Sequence, residues 1–146
     1  MRVELVDAGV TTELRRSVLR PRWAPGTPMS GDDDPQALHV AALDDRGAAI
    51  GACVLFAATC PHHPDVVPAW QLRGMATADG QRGRGVGAAV LGAALDAIGE
   101  RGAQLIWCKA RVPALRFYAA HGFAVDSDEY LDPETQVAHR DLSRLL

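Results

Sequence analysis

Apolar and polar positions alternate in short runs near both ends of the chain and recur at helical spacing in its middle. Met1–Val6 (MRVELV) sets Val3 and Leu5 against Arg2 and Glu4, the two-residue period of a strand. Leu14, Val18 and Leu19 then fall on one helical face, with Thr11 or Thr12 as the cap, Glu13 in the first turn and Arg20 as the stop before Pro21. Ala37–Leu43 and Ala48–Ala58 are apolar runs joined by Asp44-Asp45-Arg46-Gly47, the pattern of a hairpin. Ala69–Thr77 (AWQLRGMAT) is a further strand, in which Gly74 marks a bulge or a close backbone approach.

From Arg84 to Arg101 runs the strongest helical pattern. Val90, Leu91, Ala94, Leu95 and Ile98 form one stripe, Asp96 and Glu100 lie opposite, and Gly102 closes it. Gln104–Cys108 reads as a short buried strand. Pro113 suits the first turn of a helix through Ala114–His121 that ends at Gly122. Phe123–Tyr130 and Gln136–Leu142 form a final strand pair across "LDPE". This order predicts one α/β domain over residues 1–146, a mixed central sheet flanked by helices. Two Pro-rich loops interrupt it, Pro21–Pro35 and Cys60–Pro68. The first is longer than a compact domain keeps without a use for it.

Composition narrows the function classes. An apolar fraction of 48% and a charged fraction of 23% are those of an ordinary globular protein. The net charge of −3 argues against a sequence-independent grip on nucleic acid. No apolar run reaches the roughly 18 residues a membrane span needs, and the N-terminus lacks a signal-peptide pattern, so a cytoplasmic protein is expected. Cys53, Cys60 and Cys108 are odd in number and without CxxC spacing, so buried free thiols are expected. His62-His63 has no third ligand at a diagnostic spacing, and Asp32-Asp33-Asp34 lacks the rest of a calcium loop; no metal is expected.

The informative stretch is "QRGRGVGAAVLGAAL", Gln81–Leu95. It follows a strand and a turn and runs into the strongest helix. The first N–H groups of a helix lack internal partners and carry the positive end of its dipole. Gly83, Gly85 and Gly87 leave those groups uncovered, and Arg82 and Arg84 add charge, which predicts a phosphate or diphosphate site. A triphosphate loop needs Lys-Ser/Thr after its last glycine; here Val86-Gly87 follows Gly85. A dinucleotide fingerprint belongs after the first strand, with an acid about 20 residues on; this stretch lies mid-chain and has no such acid.

A third spelling fits. Arg82-Gly83-Arg84-Gly85-Val86-Gly87 resembles the Gln/Arg-x-x-Gly-x-Gly/Ala loop of the GNAT superfamily of acetyl-CoA-dependent N-acetyltransferases. "LRGMAT" (Leu72–Thr77) resembles that family's fourth strand, and "ARVPALRFYAAHGF" (Ala110–Phe123) its late helix with Phe-Tyr before Gly-Phe. The resemblance spans Trp70 to Asp126. It implies a GNAT-type fold and acetyl transfer from acetyl-CoA directly to a primary amine of a small molecule or peptide. Arg82–Ala88 would hold the diphosphate, and Met75, Ala76 and Thr77 would offer backbone groups to the pantetheine arm. Tyr118 would be the general acid that protonates the departing thiolate.

Two departures from the family pattern accompany the match. Where many members carry a glutamate base on the fourth strand, this chain has Gln71, Leu72 and Arg73. His139 is the leading candidate base, with Asp128 and Glu129 behind it. Where members often carry a CoA-contacting asparagine seven residues before the tyrosine, this chain has Arg111. These changes leave a non-catalytic acyl-CoA sensor as the alternative. The acceptor site would be built from "RWAPGTPMSGDDDP" and "VDSDEYLDPETQ", with Asp32–Asp34 as candidates for attracting a cationic amine. Homodimers are common in the family.

Overall fold

The computed structural model describes residues 1–146. In chain order the elements are β1 (Arg2–Val6), α1 (Ala8–Leu19), β2 (Leu38–Leu43), β3 (Ala49–Ala57), β4 (Ala69–Thr77), α2 (Val86–Gly99), β5 (Leu105–Arg111), a 3-10 turn (Val112–Ala114), α3 (Leu115–Ala120), β6 (Ala124–Val125), β7 (Tyr130–Leu131) and β8 (Ala138–Leu145). The strands form a single sheet ordered β1-β2-β3-β4-β5-β8-β6, with β7 also on β8. Every neighbouring pair is antiparallel except β4 and β5, so the sheet is mixed, as expected. No helix is long and apolar enough to cross a membrane.

Alternation along β2 divides the two faces. Val40 and Ala42 join Val86, Val90, Leu91 and Ile98 of α2 in a core of 18 buried residues that also takes in Tyr118 and Phe123. Gly51 of β3 makes this docking possible. A Cβ there would stand 2.4 Å from Val86 Cγ1 and 3.2 Å from Val90 Cγ2. The first turn of α2 therefore rests directly on the sheet.

The helix on the opposite face turns polar residues inward. α1 does not bury Leu14, Val18 and Leu19 as its pattern predicts; its buried residues are Thr11, Arg15 and Arg16. Nor does it start at a threonine cap. It begins at Ala8; the Thr11 hydroxyl donates back to Ala8 O and Thr12 Oγ1 lies 2.9 Å from the same oxygen, so both lie inside the first turn.

Most other boundaries shift by a residue or two, with α2 beginning at Val86 rather than Arg84, and β5 runs three residues further, to Arg111. The larger difference lies at the C-terminus. Phe123–Tyr130 contributes only two dipeptide strands, both hydrogen-bonded to an eight-residue β8.

Candidate active site

The site begins with a break in the sheet. β4 and β5 pair only from Ala69↔Leu105 to Leu72↔Cys108. Just beyond, the β3–β4 register shifts between Ala52 and Val54, so Gly74 and Met75 together oppose Cys53, with Gly74 at φ +63°. This is the bulge expected at Gly74. A bulge bends its strand, and here it turns β4 away from β5. Arg73–Thr77 keep only their β3 side, and Lys109–Arg111 only their β8 side. The gap opens into a cleft of about 1250 Å³.

The glycine loop forms one end of this cleft. Gly83 and Gly85 adopt φ of +76° and +79°, which L side chains reach only at a cost of roughly 1–2 kcal/mol. No heavy atom lies within 4 Å of a Cβ built at either glycine, so conformation rather than crowding requires them. Gly85 is the residue before α2. After Gln81, whose N–H donates to Ala78 O, the next backbone bond donated runs from Ala89 N–H to Gly85 O at 3.0 Å. The N–H groups of Val86, Gly87 and Ala88 are therefore left for an external acceptor at the positive end of a 14-residue helix. Gly87 sits against Phe117, whose ring would stand 3.3 Å from an added Cβ. Arg82 is exposed and lies 3.5 Å from Asp79.

Tyr118 projects from α3 into the same cleft. Its ring is fixed edge-on to Phe117 and to Phe123, both at 5.2 Å between centroids. The residue is 6% exposed, and its hydroxyl makes no hydrogen bond within the protein. Burial pushes its pKa well above the usual phenol value, and the neighbouring thiols of Cys108 and Cys53 act in the same direction. The hydroxyl is therefore a proton donor at any physiological pH. Cys108 also lines the cleft, but burial pushes its thiol up to about 12, so it carries no nucleophilic thiolate at neutral pH.

His139 of β8 lies across from Arg111 in the β5–β8 register. Its Nδ1 is 2.8 Å from Val137 O. A carbonyl only accepts, so Nδ1 carries the hydrogen and Nε2 of the neutral ring keeps a lone pair. The ring stacks on Tyr130 at 6.2 Å. Asp128 and Glu129 do not line the cleft; the acids that do are Asp132 and Glu134.

The cleft thus gathers Met75, Ala76, Thr77, Arg82, Gly83, Gly85, Val86, Gly87, Ala88, Arg111, Tyr118 and His139. Arg84 is exposed and lies outside it. Asp32 does not line this cleft. Its Oδ2 accepts from Arg15 Nη2 at 2.7 Å and from Thr12 Oγ1 at 2.6 Å, beneath α1. Burial alone would raise its pKa, but the bonds from Arg15 and Thr12 outweigh that and hold it below the usual carboxylate range. His62 and His63 are bonded to Asp141 and Asp126, pinning the Pro-rich loop to the C-terminal strands.

Sequence reasoning misses Arg15 and Arg20. Both line the cleft, and both sit in a segment whose apolar residues suggest an ordinary surface helix.

Comparison with known proteins agrees with this geometry. The sequence profile of the acetyltransferase (GNAT) domain matches residues 34–125. The "Uncharacterized N-acetyltransferase YitI" of Bacillus subtilis (strain 168) is 27% identical over 127 residues, covering 84% of this chain and 82% of that protein. An aminoglycoside 6'-N-acetyltransferase, solved in complex with coenzyme A, superimposes with a TM-score of 0.78 at 11% identity, over 99% of this chain and 97% of that one. The IAA acetyltransferase of Bacillus cereus ATCC 14579 gives 0.72 at 18%, over 99% of each chain. At such identities the solved structures establish the shared fold, and the profile match over most of the chain establishes kinship. The chain belongs to the GNAT acetyltransferase family.

Proposed function

We propose that this protein transfers an acetyl group from acetyl-CoA directly to a primary amine, with Tyr118 as general acid. One observation carries the reading. A row of unpartnered helix N–H groups and an unpartnered, buried phenol open onto the same cleft, where β4 and β5 part. The N–H groups of Val86–Ala88, with Gly83, Gly85 and Arg82, suit a diphosphate. The free backbone edge at Met75, Ala76 and Thr77 suits the amides of a pantetheine arm.

The amine nitrogen attacks the thioester carbon, the C–S bond breaks, and the thiolate takes the proton of Tyr118 Oη. An ammonium must first lose a proton, since a lysine-type amine has a pKa of roughly 10.4. His139 Nε2 has the lone pair to take it. The proposed setting is the cytoplasm, in keeping with three buried cysteines that form no disulfide.

The test is release of free CoA thiol with a panel of amines, alongside calorimetric titration of CoA. Turnover on at least one amine, lost in Tyr118→Phe, supports the reading. CoA binding without turnover, unaffected by Tyr118→Phe, would replace it with an acyl-CoA-binding module. Unchanged CoA affinity when Gly83 and Gly85 are both replaced by valine would remove the diphosphate assignment.

A further inference from the structure

Six arginine and lysine side chains line the cleft, against only Asp132 and Glu134. Two of the six converge. Arg20 Nη1 and Arg111 Nη2 donate to the same atom, the carbonyl oxygen of Leu19 at the end of α1, at 2.9 and 3.1 Å. Nitrogens bonded to one oxygen lie no more than about 6 Å apart. The pKa of Arg111 is lowered by burial first and by the charge of Arg20 second.

This pair of charges has no ionic partner. Neither guanidinium has a carboxylate within 4.0 Å, although five other basic groups of the chain do, besides two histidines. A helix C-terminus offers roughly half a negative charge, which does not balance two cations. Asp132 is the acid whose charge reaches Arg111, but its Oδ2 already accepts from Glu134 N–H, Thr135 N–H and Thr135 Oγ1. Arg20 Nε is buried with no acceptor at all, and its guanidinium is held 5.6 Å over the ring of Trp23. Two guanidiniums held on one carbonyl oxygen, with no carboxylate bonded to either and donors to spare, are an anion site.

We propose that Arg20 and Arg111 bind a carboxylate of the acceptor, so that the amine acetylated here also carries an acid group, as an amino acid does. This rests on the transferase reading above. The geometry suits a planar carboxylate, whose two oxygens match the guanidinium fork. The arginines belong to the end of α1 and the end of β5, whereas the proposed diphosphate site belongs to the start of α2. Arg111 stands opposite His139 in register, so acid recognition and proton removal fall side by side.

The test compares the twenty α-amino acids with their carboxamides on the full-length protein. Binding is followed by the fluorescence of Trp23, which is 37% exposed while Trp70 and Trp107 are buried. At least one acid is expected to bind at least tenfold more tightly than its amide. In turnover the same preference is expected in KM. Arg20→Gln and Arg111→Gln are each expected to bring the ratio close to one, with melting temperature as the control for folding. Should Arg111→Gln unfold, the partly exposed Arg20→Gln alone decides. Amides that bind and react as well as acids, or a preference that survives both substitutions, overturn the proposal. So does an effect of the variants confined to succinyl-CoA over acetyl-CoA, which would give the carboxylate to the donor's acyl group. Acid-selective binding without turnover on any amine would instead count against the transferase reading and leave the clamp standing.

Discussion

The hydroxyl of Tyr118 has a free proton, a fixed ring and no internal partner, so its removal separates chemistry from packing. Tyr118→Phe keeps both edge-on contacts with Phe117 and Phe123 and strands no hydrogen-bond partner. The expected result is a fall in kcat of roughly 10²–10⁴-fold, the usual range for a general acid, with an unfolding midpoint close to that of the parent. Asp32 is the opposite case, a residue whose loss is structural. Arg15, 3% exposed at its side chain, would keep its charge with no carboxylate beside it. Asp32→Ala is expected to destabilise the protein by roughly 3–5 kcal/mol in urea unfolding. The acid limb follows the same residue. A carboxyl held below its unfolded value contributes stability above pH of about 4, and that contribution is lost as pH falls through its lower folded value.

Among the elements, those specified locally are legible in the sequence. The β2–β3 hairpin announces itself by its Asp-Asp-Arg-Gly turn, and the loop before α2 by its glycines. The pattern of α1 misleads because the inward face of this helix is polar. Arg15 can be buried only because Asp32, 17 residues away, meets it, and periodicity does not register a long-range ion pair. The C-terminal strands are blurred for a similar reason. β8 is placed by its ladder with β5, more than 25 residues back in the chain, and His62–Asp141 and His63–Asp126 add contacts across 79 and 63 residues. Within the site, Tyr118 and the glycine loop are readable as motifs, whereas the convergence of Arg20 and Arg111 exists only once α1 and β5 meet. Gly51 belongs to this scale too. An added methyl must push Val86 and Val90 outward, and with them the first turn of α2. Gly51→Ala is therefore expected to cost roughly 1–3 kcal/mol and to weaken CoA binding although it lies on the sheet; calorimetry and urea unfolding read the two effects.

At the scale of the whole molecule, charge and titration are distributed unevenly. The chain carries a net charge of −3, yet the charged residues of its cleft are mainly cations, so an anionic ligand is drawn to one place on an otherwise acidic protein. CoA affinity should fall as salt rises, since exposed charges are screened within about 8 Å at physiological ionic strength. The buried thiols set the alkaline limit. Cys53 and Cys108 are both pushed up to about 12 by burial. Because their folded values exceed the unfolded one, stability is complete below pH of about 8.5 and declines as pH rises towards 12. Each thiol adds a slope of roughly 1 kcal/mol per pH unit across that window. A pH series of urea midpoints is expected to flatten in Cys53→Ala.

The parting of β4 from β5 has one more consequence. Sheet proteins ordinarily keep unpaired strand edges to the rim and guard them there; this one holds two in its interior, facing each other across a gap. Amides on those edges have solvent in place of a ladder partner. They should exchange hydrogen for deuterium far faster than their neighbours on the β3 and β8 sides, and slow down when an occupant supplies the missing carbonyls. The sheet would then report, amide by amide, how far along the slit a bound molecule reaches.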